Sequence, residues 1–396
     1  MKPVNPEEVG FSGERLERIR AAIDGYIQRS ELAGALTAVM RRGRQAYFAC
    51  QGMADLENGA PMQPDTLFRI YSMTKPVTSA AVMMLFEEGR LRLADPVGRY
   101  LPMFKRKMTV ALQPDIGPAV VDAQRAITIR DLLTHTAGLS YGMEEASWLD
   151  TLYREQVWAL LERNPETPLE ELIDAVTQLP LAHQPGKTFR YSLATDVLGL
   201  LVAAVAGMPF GDFLQARIFD PLGMVDTFFC MPQEKRHRLA EVYNPSKNGG
   251  LEKADPPNSA GFFNPCFFQS GGGGLVSTAA DYLRFASMLL NMGELDGQRL
   301  LGRKTVELMA SNHLPAGVHP FDDLSSGFGL GVSVLLDVAG SQNLGSVGRY
   351  GWSGAASTNF WIDPREQLIG LFLTQRMEST TAIDDFRNLV YQAMID

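Results

Sequence analysis

Two strand pairs lie at opposite ends of this 396-residue chain, separated by a long stretch with few strand signals. Ala35 to Met40 and Gln45 to Cys50 are apolar runs flanking Arg41-Arg42-Gly43-Arg44, which reads as a hairpin with a tight turn. Ser357 to Ile362 and Leu368 to Thr374 flank Asp363-Pro364-Arg365-Glu366-Gln367 in the same way. Each pair has a helix for company. Ser12 can cap a helix carrying Leu16, Ile19, Ile23 and Ile27 at helical spacing, and Ala382 to Ile395 closes the chain as another. The simplest architecture is α+β: an antiparallel sheet flanked by helices, built from residues 1–95 and 270–396, with a mostly helical region, 96–269, inserted between and the active site at their junction.

The middle reads as helices and loops. Thr128 can cap a short helix through Thr134, and Thr167-Pro168-Leu169-Glu170 has the form of a capping box with proline at the first helical position. Ser192 to Ala206, ended by Gly207, and Phe210 to Phe219 follow, and Thr278 to Asn291 carries Asp281 in its first turn. A dinucleotide-binding α/β sheet needs strands alternating with such helices, and the middle lacks them.

Composition removes several function classes. A net charge of −9 argues against nucleic acid or an anionic membrane as partner. The longest apolar run, Val197 to Phe210, is too short to span a bilayer. The opening Met1-Lys2-Pro3-Val4-Asn5-Pro6 leads into charge rather than an apolar stretch, so a cytoplasmic protein is the expectation. Cys50, Cys230 and Cys266 are far apart and odd in number, and read as free, buried thiols. His135, His183, His237, His313 and His319 have no metal-ligand spacing, and no phosphate loop is present. No metal or organic cofactor is expected, and the oligomeric state is not legible.

The chemistry centres on Ser72-Met73-Thr74-Lys75. Val77 to Phe86 continue as a buried helix, and Pro76 fits its first turn, where a missing N–H leaves nothing unpaired. The helix is therefore expected to start at about Ser72, placing the hydroxyl at the positive end of the helix dipole. Lys75, three residues on, shares that face, and a neutral amine there can take the serine proton. Taken alone the four residues are a weak pattern. Two further segments add weight. Gln184-Pro185-Gly186-Lys187-Thr188-Phe189-Arg190-Tyr191 delivers a tyrosine at a helix entry, where a phenol beside a cation can relay protons. Tyr350-Gly351-Trp352-Ser353-Gly354-Ala355 is a Gly-rich strand segment that lets substrate lie against the backbone and offers an N–H to an oxyanion.

These motifs, in this order and over this length, resemble the serine β-lactamase and penicillin-binding superfamily, and within it the family VIII carboxylesterases, relatives of the class C β-lactamases. The resemblance extends to Gly89-Arg90-Leu91-Arg92-Leu93-Ala94-Asp95-Pro96-Val97, to Asp131-Leu132-Leu133-Thr134-His135-Thr136-Ala137-Gly138-Leu139 and to Trp361-Ile362-Asp363-Pro364. It implies a serine β-lactamase/transpeptidase-like fold, Ser72 as nucleophile, and Lys75 and Tyr191 as general base and acid relay. Tyr191 falls on the tyrosine of the family's Tyr-x-Asn element. Trp352-Ser353-Gly354 falls on the Lys-Thr-Gly element, carried by esterase relatives as Trp-Gly-Gly. Leu193 stands where β-lactamases have asparagine, and Trp352 where they have lysine. Losing a charge-assisted contact costs about 1.5–3 kcal/mol, which shifts preference from β-lactams to neutral, partly apolar esters. Trp352, Ser353, Gly354, Ala355 and Leu193 are thus the expected oxyanion and substrate contacts.

Gly138-Leu139-Ser140-Tyr141-Gly142 matches the nucleophile elbow of α/β-hydrolases but lacks the strand before and the helix after that this elbow needs. His135 reads as a turn residue bonded locally, and Gly271 to Gly274 as a loop near the site. The expected function is hydrolysis of short-to-medium-chain carboxylic esters through an acyl-enzyme on Ser72, a small-molecule ester being the partner. The competing readings are a β-lactamase or D-alanyl-D-alanine peptidase of the same fold and a non-catalytic scaffold.

Overall fold

The computed structural model describes residues 4–254 and 268–396. Strand β1 (Gly34–Arg41) turns through Arg42 and Gly43 into β2 (Arg44–Asp55). Both turn residues have positive φ, 51° and 73°, which matches the right-handed twist of the flanking strands. A two-residue β3 (Ala60–Pro61) edges β2. The far end of the chain supplies β4 (Ser326–Phe328), β5 (Ser333–Leu335), β6 (Tyr350–Ser353), β7 (Asn359–Asp363) and β8 (Leu368–Leu373). The sheet order is β4-β5-β6-β7-β8-β1-β2-β3, antiparallel throughout. The expected single sheet forms where β1 meets β8, with Leu36 opposite Leu373 and Arg41 opposite Leu368.

Six helices position the site: α1 (Gly13–Gln28), α2 (Thr74–Glu87), α3 (Ala194–Ala206), α4 (Ala279–Leu290), α5 (Val338–Ser341) and α6 (Ala382–Gln392). Every residue of β1 is buried, because both faces of the sheet are covered. Alternation assigns Ala35 and Val39 to an outer core with Leu16, Ile19 and Ile23 of α1 and Phe386 and Val390 of α6. Leu36, Ala38 and Met40 face the larger inner core, which continues into α2, α3 and α4. Helix α2 is buried from Thr74 to Leu85, as an all-round apolar helix must be.

The caps at Ser12 and Thr128 form as the sequence predicts, and Thr278 caps its helix in the same way, each side chain accepting an N–H three residues on. The capping box at Thr167 does not. Pro168 is itself the N-cap of Leu169–Gln178, and Thr167 Oγ1 instead donates to the carbonyl of Asn164 at 2.7 Å. The cysteines also differ from expectation. Cys230 is disulfide-bonded, whereas Cys50 is free, its thiol pushed up to about 11 by burial. Cys266 lies outside the described residues. Among the described residues no single helix is long and apolar enough to cross a membrane.

Candidate active site

Helix α2 begins two residues later than its sequence suggests. Tyr71–Met73 form a 3-10 turn, and Tyr71 holds a left-handed φ of 44°, which no helix start tolerates. Ser72 sits in the turn and Lys75 in the first turn of α2, and three residues apart their side chains still share one face. Lys75 Nζ donates to Ser72 Oγ at 3.1 Å, although the lysine is fully buried. Tyr191, three residues before α3, donates its hydroxyl to the same oxygen at 2.7 Å. The three residues singled out by the motifs therefore share one oxygen atom.

Lys75 has two further partners that sequence reasoning missed. Its Nζ donates to the Gly272 carbonyl at 2.7 Å and to Tyr141 Oη at 3.1 Å. Gly272 in turn donates its N–H to Asp196 Oδ1 at 3.1 Å. This explains the glycine run: a Cβ on Gly272 would lie 2.5 Å from Asp196 Oδ2 and 2.9 Å from Tyr141 Oη. Gly271–Gly274 is a tightly packed wall of the site. The buried Asp196 carboxyl is raised above its ordinary range by desolvation, against the pull of Lys75 and of its donors. Tyr141 is pushed well above its ordinary value by burial, with Asp196 and Tyr191 adding to the effect, and so stays a neutral phenol. His135 is not the locally bonded turn residue expected. It is buried with its ring centre 4.8 Å from that of Tyr191, and its Nδ1 lies 3.3 Å from Ser192 Oγ. Burial and then the Lys75 charge hold its imidazole well below the usual pKa.

The five expected substrate contacts separate. Leu193 and Ala355 line a cavity of about 250 Å³ together with Ser72 and Tyr191. Its other walls are largely apolar, with Met143, Trp158, Leu161, Phe229 and Phe268. Trp352 stands beside this cavity, its indole N–H donating to Tyr191 Oη at 3.4 Å and its ring stacked on Phe321. Gly354 is not a free donor: its N–H is given to the Thr358 carbonyl at 2.7 Å. A Cβ on Gly354 would come within 2.5 Å of the Ile70 carbonyl oxygen, so the glycine lets β6 approach the nucleophile turn. That leaves the Ala355 N–H as the candidate oxyanion donor opposite Ser72. Ser353 departs furthest from expectation. Strand alternation turns it to the outer face of the sheet, where its hydroxyl accepts from Asn359 Nδ2 at 2.8 Å.

Ser140 has no room to act as a nucleophile. It is buried, donates to Asp150 Oδ1 at 2.6 Å and accepts from Arg190 Nε at 3.2 Å. Among the described residues no group of three His, Cys, Asp or Glu side chains could hold a metal ion.

The family model described as Beta-lactamase matches residues 19–393. The chain is 38% identical over 373 residues to the uncharacterized protein MT1414 of Mycobacterium tuberculosis, covering 91% of this chain and 90% of that protein. It is 31% identical over 380 residues to Esterase EstB of Burkholderia gladioli, covering 90% of this chain and 89% of the esterase. Among solved structures, EstCE1, described as a hydrolase with promiscuous acyltransferase activity, superposes with a TM-score of 0.82 at 27% identity, covering 96% of this chain and 99% of that one. The fold is thus β-lactamase/transpeptidase-like, and the chain belongs to the β-lactamase family, with esterases of that fold among its relatives.

Proposed function

We propose that the protein is a carboxylesterase of the family VIII type, cleaving short-to-medium-chain esters through an acyl-enzyme on Ser72. The observation that carries this reading is the convergence of Lys75 Nζ and Tyr191 Oη on Ser72 Oγ at the edge of an apolar cavity. Relatives named esterase and acyltransferase support an acyl-transfer enzyme in general.

Ser72 Oγ attacks the ester carbonyl as its proton passes to the Lys75–Tyr191 pair. The tetrahedral oxyanion sits between the Ser72 and Ala355 N–H groups, a type of contact whose loss typically costs about 3–4 kcal/mol. The alkoxide leaves with a proton delivered through Tyr191. Water then attacks the acyl-enzyme, giving its proton to the same pair, and the acid departs. Leu193 and Trp352 present no charge to a β-lactam carboxylate or acylamino group, which favours neutral acyl esters.

The test is kcat/KM for p-nitrophenyl butyrate against a chromogenic cephalosporin, with Ser72→Ala as control. Preference for the ester by orders of magnitude, with the variant inactive toward both, supports the proposal. Preference for the cephalosporin replaces it with a β-lactamase.

A further inference from the structure

The protein carries a second cavity away from Ser72. A pocket of about 410 Å³ lies against the outer face of β5, β6 and β7, walled by α5 and by the first turns of α6. Ser353 and Trp361 belong to its floor, and Arg349 and Arg387 to its sides. None of these four lines the Ser72 cavity.

The donors here exceed their partners. Trp361 is 2% exposed, yet among the described residues its indole Nε1 has no hydrogen-bond partner. Arg387 stacks its guanidinium 5.3 Å from the Trp361 ring centre, and its buried Nε is likewise unpartnered. Buried polar groups without partners are costly, and they recur where a ligand completes them. Two acidic side chains share the pocket, and neither meets this demand. Asp323 is already taken by the hydroxyls of Ser325 and Ser326, both at 2.6 Å. Asp384, itself half exposed, reaches only Nη1 of Arg387 at 2.7 Å. Arg349 adds a second cation, held through Nη1 to the Leu344 carbonyl.

We propose that this outer pocket binds a small organic anion through an oxyanion head, carboxylate or phosphate, held between Arg349 and Arg387. Planar guanidinium forks suit such heads, and Trp361 belongs to the same lining. Desolvation, with Arg349 repelling from nearby, holds the Arg387 guanidinium below the usual arginine range, a cost that a bound anion relieves. Trp352 and Ser353 are consecutive in β6 and both belong to the lining of the outer pocket, while the Trp352 indole N–H reaches Tyr191 Oη, so the pocket and the catalytic tyrosine meet at one strand.

Isothermal titration calorimetry with benzoate, phenyl phosphate and neutral benzamide tests this on the full chain. Saturable one-to-one binding of benzoate or of phenyl phosphate, with benzamide at least tenfold weaker, is the expected result, and the two anions distinguish a carboxylate from a phosphate ligand. Affinity should fall at least tenfold in Arg349→Gln and in Arg387→Met, and less in Arg387→Lys, which keeps charge but not the fork. Binding of neither anion, equal binding of benzamide, or affinities unchanged in variants of wild-type melting temperature would overturn the proposal. Arg387→Lys serves as the deciding variant if Arg387→Met does not fold. Carboxylate capture at Ser72 instead would survive both arginine changes and counts against it.

Discussion

Lys75 Nζ sits 4.6 Å from the centre of the Tyr191 ring, so the two groups that share Ser72 Oγ also touch each other. The Lys75 amine faces the Tyr191 ring and both bond the same oxygen, so moving the Ser72 proton disturbs both. The pair works as one unit, and the effects of removing its members should not add.

Tyr191→Phe should lower kcat for p-nitrophenyl butyrate by roughly 10² to 10⁴-fold, the range for a lost acid–base group, with KM little changed. The ring contacts with His135 and Trp352 remain, so the melting temperature should stay within a few degrees. A KM effect without a kcat effect would reduce Tyr191 to a binding residue. Kinetics paired with a thermal melt decide.

Gly272→Ala places a methyl 2.5 Å from Asp196 Oδ2. Overpacking of this kind costs about 1–3 kcal/mol. The shift also displaces the carbonyl that holds Lys75, so kcat should fall at least tenfold along with stability. Urea unfolding and steady-state rates on one preparation check both; a stable variant with full activity contradicts this account of the glycine.

Ser140→Ala should keep esterase activity within a few-fold while lowering stability by about 1 kcal/mol, the usual worth of a lost hydrogen bond. Asp150→Ala should do far more harm, because it leaves the Arg190 guanidinium without its buried carboxylate at 2.9 Å. Breaking such a pair costs about 3–5 kcal/mol. Loss of activity in a well-folded Ser140→Ala would return that serine to consideration as nucleophile.

Acid should destabilise the protein through its buried imidazoles. Above pH 6.5 His135 is neutral both folded and unfolded, and its contribution is fully present. Below 6.5 the unfolded chain takes up a proton that the folded site refuses, so stability falls as pH falls toward the depressed folded value. His183 and His313, lowered by burial as well, act in the same direction. A whole proton is worth about 1.4 kcal/mol per pH unit. His135→Phe should remove up to that much from the slope between pH 6.5 and 5, read from urea midpoints; identical slopes in variant and wild type would contradict it.

What was legible in the chain was local. The hairpins announced themselves through apolar runs around Gly and Pro turns, and Ser72, Lys75 and Tyr191 through motifs read within a few residues. What escaped was set by tertiary contact. Tyr141 lies 66 residues from Lys75 and inside a pattern discounted for good reason, yet the fold brings it to the amine. The Gly272 carbonyl, 197 residues away, has no side chain to advertise it. Ser353 was grouped with its neighbours as one motif, whereas the pleat separates it from Trp352. Helix α2 starts at Thr74 rather than at Ser72 because the left-handed φ of Tyr71, rather than the downstream proline, decides where helical geometry begins.

The pairing of Leu36 with Leu373 also constrains how the protein comes into being. A ribosome releases β1 and β2 early, but β1 has one sheet edge open until β8, far downstream in the chain, emerges. Ser72, Lys75 and Tyr191 are all synthesised before the strand that anchors the sheet beneath them. The sheet therefore cannot close before β8 leaves the ribosome, and until then the nascent chain carries an apolar strand with one edge unpaired.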